Sequence, residues 1–184
     1  MNIWIMRHGE AGFNASSDAA RCLTDNGIKN TISQGKWLGE HLANQQIQLD
    51  KILVSPYLRA QQTLENVLIG MQAVNFPQHF TNLIESWDEV TPDGNPHTVE
   101  SYLHFLREEG AKNILLISHL PLVFDLVQIL TNNQSNVQFP TSTIAEINWV
   151  KTKAELIRVK AYLILSFLEC QYKNFQFFYK LSNL

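Results

Sequence analysis

Short apolar runs alternate along this chain with longer segments in which apolar residues recur every three or four positions. The runs over residues 2–6, 51–55 and 113–118 have the length of buried strands, and the longer segments have the period of amphipathic helices. Strands that alternate with helices are typical of a parallel sheet covered by helices. We therefore predict an α/β fold, a three-layer sandwich with a mostly parallel central sheet flanked by helices.

Capping residues indicate where four helices begin. A side chain that accepts a backbone hydrogen bond, or a proline at the first helical position, marks a helix start. The first helix is predicted to run to about residue 42 and the second to about residue 71. The predicted starts are, in chain order, Thr24, Ser55 followed by Pro56, Thr98 and Pro121.

The pattern is weaker elsewhere. A short strand is predicted near residues 80–84, followed by a loop over residues 86–96. Alternation of Ala145, Ile147 and Trp149 predicts a late strand at the edge of the sheet. Residues 1–150 would form the domain and residues 151–184 an aromatic-rich extension, with a helix over about residues 153–171. We expect the extension to pack on the domain; exposed aromatic residues would instead favour a dimer or a partner.

Composition limits the class of protein. The chain has 184 residues, of which 45% are hydrophobic and 17% charged, and its formal net charge is -3. These values exclude a disordered chain and the basic excess of most nucleic-acid-binding proteins. Cys22 and Cys170 offer neither a disulfide framework nor a zinc motif. No apolar run nears the roughly 20 residues of a membrane span and no signal peptide is indicated, so we expect a cytoplasmic protein.

Basic side chains follow three predicted strands at the point where each strand ends. Arg7 and His8 follow the first strand. Arg59 lies near the start of the helix after the second strand, and His119 follows the strand over residues 113–118. Because the carboxyl ends of parallel strands share one edge of a sheet, where ligands bind, we expect these side chains to converge.

These residue types indicate phosphoryl transfer. A cation near a helix N-terminus, such as Arg59, opposes the helix dipole unless an anion lies there, and two guanidinium groups can hold phosphoryl oxygens. Beside two arginines the imidazole of His8 is expected to be uncharged, which makes it a nucleophile that can be phosphorylated. His119 can hydrogen-bond a phosphoryl oxygen or donate a proton.

A metal site made of His8, His119 and Glu10 is an alternative. The neighbouring arginines would repel a divalent cation, so we expect a reaction that uses neither a metal nor another cofactor. The remaining histidines lack the spacing of metal ligands and are interpreted as surface or partly packed residues: His41, His79, His97 and His104.

Four segments of the chain resemble the histidine phosphatase superfamily, also called phosphoglycerate-mutase-like, and more narrowly its small SixA-type phosphohistidine phosphatases. They are MRHGEA after the first strand, LTDNG at the first helix, VSPYLRAQQT around Arg59 and ISHLPLV around His119. The resemblance covers about residues 1–150, with the motifs in the family's order.

The resemblance implies a role for each matching residue. His8 would be the phosphorylated nucleophile. The phosphate pocket would comprise Arg7, His8, Arg59 and His119. Arg21, in the segment SDAARCLT, would lie at the rim of this pocket. The implied activity is removal of phosphate from a histidine-phosphorylated protein, of the kind that carries phosphate in a signalling relay.

The chain departs from larger members of the family, which supply a proton-donating acid from an inserted region. Here the segment WDEVTPDGNP is short, and Glu89 is the candidate acid. A phosphoramidate leaves readily once its nitrogen is protonated, so a phosphohistidine substrate needs less help than an ester. We also expect a shallow, open site, because little chain between Arg59 and His119 is left for a lid.

Two other functions stay open on this reading of the sequence. A phosphatase for small phosphate esters would need an acid such as Glu89. A phosphate-binding module without catalytic activity would not need the nucleophile His8.

Overall fold

The fold is a six-stranded sheet with helices on both faces, seen in a computed structural model that describes residues 1–150 and 153–161. The strands are β1 (Asn2–Arg7), β2 (Lys51–Val54), β3 (Ile84–Ser86), β4 (Asn113–Ser118), β5 (Ile144–Val150) and β6 (Lys153–Lys160). The helices in the described residues are α1 (Asp25–Asn44), α2 (Leu58–Ala73), α3 (Pro96–Glu108) and α4 (Leu122–Leu130), and one 3₁₀ turn spans Asp88–Val90. The predicted α/β class is confirmed.

The sheet has the strand order β3-β2-β4-β1-β5-β6. The first four strands in this order are parallel, whereas β5 is antiparallel to β1 and β6 is antiparallel to β5. Alternate residues of β1 face opposite sides of the sheet. Ile3 and Ile5 pack in the core beneath α3 and α4, and Trp4 and Met6 pack in the core beneath α1 and α2. Two apolar cores separated by one sheet give the predicted three layers.

Helices α1 and α2 pack closely because glycines lie in their contact. A β-carbon on Gly35 of α1 would collide with the carbonyl oxygen of Val67, and one on Gly70 of α2 would collide with that of Ile32. Only glycine allows two backbones to approach in this way. Since α1 follows β1 and α2 follows β2, this contact fixes the distance between the segments that leave those two strands.

The starts of α1 and α2 reflect different local hydrogen bonds. Thr24 caps α1 as predicted, because its hydroxyl accepts a hydrogen bond from the amide of Gly27 at 3.0 Å. The predicted start of α2 at Ser55 is too early, and Tyr57 is the N-cap. The hydroxyl of Ser55 accepts a hydrogen bond from the amide of Tyr57 at 3.3 Å, which holds a turn between the strand and the helix.

The predicted cap of α3 is wrong by three residues. Asn95 is the N-cap, and its side chain accepts a hydrogen bond from the amide of His97 at 2.9 Å. Proline at residue 96 fits the first helical position, so the Asn–Pro pair starts the helix before Thr98 is reached. Pro121 directly precedes α4, close to the predicted start.

The late part of the chain corrects two predictions. Residues 153–160, predicted as part of a helix, form strand β6. Strand β5 is not at the edge, because β6 pairs with it and places Val159 opposite Ala145. Pairing with β6 provides hydrogen-bond partners for backbone N–H and C=O groups of β5 that would otherwise have none in the sheet. The rest of the predicted helix and the aromatic residues after it lie outside the described residues.

Strand β3 also differs from its prediction. It spans Ile84–Ser86 rather than residues 80–84, because parallel pairing with β2 starts with Ile84 opposite Ile52. Within the described ranges, no helix is long and apolar enough to cross a membrane.

Candidate active site

The two central parallel strands place two histidines side by side. Arg7 at the end of β1 is in register with Ser118 at the end of β4, and the amide of His8 donates a hydrogen bond to the carbonyl of Ser118 at 2.9 Å. His8 and His119 therefore leave neighbouring strands at the same edge of the sheet. Their ring centroids are 4.9 Å apart, which is the convergence expected from the strand order.

Arg59 reaches the same point from the first turn of α2. It is 3% exposed, and its Nε donates a hydrogen bond to Nε2 of His8 at 3.2 Å. The other two nitrogens of the guanidinium donate to Asp18, one to the backbone carbonyl at 2.6 Å and one to the carboxylate at 2.9 Å. All three nitrogens of this buried cation are thus oriented by hydrogen bonds.

The hydrogen-bond partners of His8 assign its tautomer. Nδ1 lies 2.6 Å from the carbonyl oxygen of Gly9, which can only accept, so Nδ1 carries the proton. Nε2 faces the N–H of Arg59, which can only donate, so Nε2 presents its lone pair. This arrangement leaves an uncharged imidazole with its lone pair on Nε2.

Burial is the main reason that His8 is uncharged. The pKa of His8 is lowered from 6.5 to about 4, chiefly by burial and also by the charges of Arg59, Arg7 and Arg21, against a hydrogen bond to Gly9 that raises it. The sequence predicts that the neighbouring arginines keep His8 neutral. They contribute in the expected direction, but withdrawal of the ring from water is the larger cause.

His119 has one partnered and one unpartnered ring nitrogen. Its Nε2 lies 2.7 Å from the hydroxyl of Ser55, and the ring meets that of Tyr57 edge-on with 5.1 Å between centroids. Nδ1 is buried and has no hydrogen-bond partner in the described part of the chain. Burial, followed by the neighbouring His8, lowers the pKa of His119 to about 3. A buried polar atom without a hydrogen-bond partner lowers stability. A ligand that hydrogen-bonds Nδ1 of His119 would remove this cost.

Arg7 adds a second guanidinium to the site. One terminal nitrogen donates to the carbonyl of Phe139 at 2.7 Å, and Nε is buried without a hydrogen-bond partner among the described residues. Burial and the charge of Arg59 both lower the pKa of Arg7. Two arginines that repel each other and retain unused donors provide a place for an anion.

Asp18 is a site residue that the sequence argument missed. Its carboxylate bridges two arginines, with 3.0 Å to a terminal nitrogen of Arg21 and 2.9 Å to one of Arg59. Hydrogen bonds from Arg21 and then Arg59 lower the pKa of this exposed carboxyl group. Arg21, predicted at the rim of the pocket, is connected to Arg59 through Asp18. The acid three residues before the arginine in SDAAR was the available signal.

Ser55 and Thr63 also support the site and were not identified from sequence. Ser55 meets His119, and the hydroxyl of Thr63 accepts a hydrogen bond from the amide of Gly9 at 2.9 Å. Thr63 lies one helical turn after Arg59, so both belong to the same face of α2. Both residues lie in the segment VSPYLRAQQT, which was singled out from the sequence. Their hydrogen-bond partners follow β1 and β4, and this segment alone does not indicate them.

Glu89, the candidate acid, lies in the 3₁₀ turn between β3 and α3. The next residue, Val90, is held at the end of β4 because its carbonyl accepts a hydrogen bond from the hydroxyl of Ser118 at 2.7 Å. The carboxylate of Glu89 accepts a hydrogen bond from the amide of Asn95 at 3.4 Å. It makes no hydrogen bond to His8 or to any other histidine in the described residues.

The alternative metal ligand Glu10 is engaged elsewhere, because its carboxylate accepts a hydrogen bond from the hydroxyl of Thr24 at 2.7 Å. No group of three or more His, Cys, Asp or Glu side chains in residues 1–150 and 153–161 is arranged to hold a metal ion.

The remaining histidines lie outside the site. His41 is partly buried and forms an ion-pair contact with Glu146 at 3.0 Å. His79 lines a cavity of about 800 Å³ between α2 and the segment after it, which contains none of the site residues. His97 and His104 are exposed on α3.

Comparisons with known proteins agree with this geometry. A family model of the histidine phosphatase superfamily (branch 1) matches residues 3–91. A Haemophilus influenzae protein named phosphohistidine phosphatase SixA homolog is 45% identical over 162 residues, which cover 88% of this chain and 96% of the relative. The Escherichia coli phosphohistidine phosphatase SixA is 37% identical over 88% of this chain and 99% of its own.

Solved structures show the same fold. A structure of the protein histidine phosphatase SixA complexed with tungstate aligns with a TM-score of 0.75 and 36% identity, over 88% of this chain and 97% of that one. A phosphoglycerate mutase from Bacillus anthracis aligns with a TM-score of 0.64 over 85% of this chain and 91% of that one. At 13% identity the second structure shows the likeness of the fold alone.

Proposed function

This chain belongs to the histidine phosphatase superfamily, and we propose that it is a phosphohistidine phosphatase with His8 as its nucleophile and no metal cofactor. The observation that carries the proposal is the pairing of His8 with Arg59. Nε2 of an uncharged, buried imidazole lies 3.2 Å from the Nε of a fixed guanidinium. The names of the relatives with 45% and 37% identity support the substrate class.

The first step of the proposed reaction transfers the phosphoryl group to His8. The lone pair on Nε2 attacks phosphorus, the bond between phosphorus and the substrate's imidazole nitrogen breaks, and that nitrogen leaves as neutral imidazole once protonated. In the second step water attacks phosphorus, the bond between phosphorus and Nε2 breaks, and inorganic phosphate leaves with release of a proton that balances the one taken up by the departing imidazole in the first step. The nucleophile is restored, and one displacement is divided into two easier ones.

Fixed positive charge stabilises the transferring group. Arg7 and Arg59 would hold the phosphoryl oxygens. Nδ1 of His119 is buried and has no hydrogen-bond partner in the described residues, so it would be available to a phosphoryl oxygen. Donors that are oriented before the reaction need little rearrangement as charge develops on these oxygens. Two arginines supply the positive charge that a divalent ion supplies in many phosphoryl transfer enzymes.

The proposed substrate is a protein that carries phosphohistidine, and a histidine-containing phosphotransfer protein of a signalling relay is the favoured class. The resemblance to SixA-type proteins is the ground for this choice. No helical insertion lies between β3 and α3, so the connection contributes only the 3₁₀ turn and short loops. A site that this connection leaves uncovered would be accessible to a phosphohistidine on the surface of another protein.

Trapping the covalent intermediate tests the proposal. The protein is incubated with a ³²P-labelled phosphohistidine protein and quenched, and we expect a label that is acid-labile, base-stable and located at His8. His8→Asn should carry no label and should keep the circular dichroism spectrum of the wild type. His79→Asn, at an exposed histidine outside the site, is the matched control and should be labelled normally. Label on another residue would exclude His8 as the nucleophile.

A further inference from the structure

Three large apolar side chains are exposed around the candidate active site. Phe13 is 87% exposed, Leu120 is 40% exposed and Leu58 is 39% exposed. Leu58 directly precedes Arg59, and Leu120 directly follows His119. We call these three residues the apolar rim. Single exposed apolar residues are common on protein surfaces, but a group that adjoins a functional site is a candidate interaction surface.

Contacts in the structure connect Phe13 and Leu58 to the site. The guanidinium carbon of Arg21 lies 4.4 Å from the ring centroid of Phe13. Arg21 is joined to Arg59 through the carboxylate of Asp18. The amide of Leu58 donates a hydrogen bond to the carbonyl of Ala19 at 2.9 Å, so the loop that carries Phe13 is attached to the start of α2.

Leu120 adjoins the site through the residue before it. The preceding residue, His119, packs its ring against His8 and against Tyr57. Tyr57 is the N-cap of α2, next to Leu58. The ring contact between His119 and Tyr57 therefore joins the segment that carries Leu120 to the segment that carries Leu58.

The burial of the proposed reactive side chains indicates which kind of substrate contacts the apolar rim. His8, Arg59 and His119 are 7%, 3% and 1% exposed, so a phosphoryl group must enter below the surrounding surface to reach them. A histidine side chain that delivers the phosphoryl group brings the surface of its own protein against the residues at the opening. A small free phosphate compound has no such surface and can enter without covering the rim.

We propose that the apolar rim is the docking surface for the phosphohistidine protein, and that this protein presents apolar side chains around its modified histidine. The inference rests on the proposed function. Arginines lie in the buried site, exposed apolar side chains lie beside it, and the complementary partner is a dianionic phosphoryl group with an apolar border. Phe13 contributes most, because an aromatic side chain that becomes buried on docking removes the largest apolar area from water.

Comparing two substrates tests the proposal. The variants Phe13→Ala, Leu58→Ala and Leu120→Ala are assayed on a histidine-phosphorylated phosphotransfer domain and on free phosphohistidine. For Phe13→Ala we expect kcat/KM to fall about tenfold on the protein substrate, as for a hot-spot residue of an interface. On free phosphohistidine we expect kcat/KM to fall less than about twofold. The other two variants should show smaller losses that are also selective for the protein substrate.

Exposed apolar residues far from the site are the matched controls. Phe105, 52% exposed, lies near the end of α3. Ile69, 51% exposed, lies about 16 Å along α2 from Leu58 at 1.5 Å per residue. Phe105→Ala and Ile69→Ala should leave both activities unchanged.

Each other result has a defined meaning. An equal loss on both substrates, an equal loss in the control variants, or no loss on the protein substrate would overturn the docking proposal while the proposed function stands. Failure of the wild-type protein to hydrolyse either substrate would contradict the proposed function, and the docking proposal with it.

Discussion

Arg59 donates a hydrogen bond from Nε to Nε2 of His8 at 3.2 Å, so the cation is fixed by the same atom that is proposed to attack phosphorus. The bond assigns the lone pair of His8 to Nε2 in the unbound site. It also sets the distance between the nucleophile and the group that would hold the phosphoryl oxygens. In the proposed reaction phosphorus would bond to Nε2, so the N–H of Arg59 would lose this acceptor and become available to a phosphoryl oxygen.

Replacing Arg59 by lysine tests this relationship. A lysine keeps the charge but lacks the Nε–H that contacts His8 and the planar pair of terminal donors. We expect kcat/KM on free phosphohistidine to fall by about 100-fold or more, as when a fixed donor to a developing charge is removed. Arg158→Lys, an exposed change on β6, is the matched control and should retain full activity. Comparable activity in Arg59→Lys would show that charge alone suffices.

The low pKa of His8 predicts how stability changes with pH. The folded protein holds this pKa at about 4 against 6.5 for an unperturbed histidine, so the unfolded chain binds the proton first as pH falls. The free energy of unfolding should therefore decrease as pH falls from 6.5 towards 4, by about 3 kcal/mol from His8 alone. Chemical denaturation at a series of pH values measures this decrease.

Variants isolate the contribution of His8 to that decrease. His8→Gln should lose less stability across the same pH interval than the wild type, because one titrating group has been removed. His79→Gln changes an exposed histidine outside the site and should follow the wild-type curve. Identical curves for all three proteins would mean that His8 is not held neutral by folding.

The carboxylate of Asp18 predicts an effect on anion binding. It occupies one terminal nitrogen of Arg59 and lies beside the proposed phosphate position, so it competes with a bound oxyanion for the same cation. Asp18→Asn should strengthen inhibition by inorganic phosphate about threefold, a modest gain because the carboxylate is exposed. Asp93→Asn, an exposed change in the loop before α3, is the matched control. Weaker inhibition in Asp18→Asn would show that the orientation of Arg59 by this carboxylate outweighs its competition with phosphate.

Glu89→Gln separates the two kinds of phosphatase that the sequence leaves open. The carboxylate contacts the amide of Asn95 and neither proposed catalytic histidine, so we expect less than about a twofold change in phosphohistidine hydrolysis. A general acid that is needed for ester hydrolysis contributes about 100-fold or more. Steady-state rates on free phosphohistidine and on a sugar phosphate provide the comparison. A loss of that size on phosphohistidine would place Glu89 among the catalytic groups.

Local sequence signals were sufficient for the elements that build the centre of the fold. Strands β1 and β4 are continuous apolar runs buried on both faces, and Thr24 caps its helix by a bond to a residue three positions away. The convergence of His8 and His119 followed from these strands, because parallel neighbours end at one edge. No partner distant in sequence had to be known.

The caps of α2 and α3 were misplaced on local signals, whereas the errors at β6 and Asp18 arise where a partner in another segment decides the structure. Leu156 and Val159 fit a helical spacing as well as a strand, and pairing with β5 across the hairpin decides between them. Asp18 approaches Arg59 across 41 positions of sequence, a contact that no local pattern reports. The burial that lowers the pKa of His8 is likewise a property of the packed chain.

The backbone hydrogen bond between His8 and Ser118 fixes the distance between the two imidazoles from inside the sheet. This distance therefore does not depend on the surface loops of the molecule. Both rings are attached to main chain that the sheet holds at the distance between adjacent strands, independently of the connections at its rim. Lengthening or exchanging the connection between β3 and α3 would change which molecules gain entry while leaving the reactive pair in place. Such a scaffold can acquire new substrates during evolution by altering its borders, without rebuilding its chemistry.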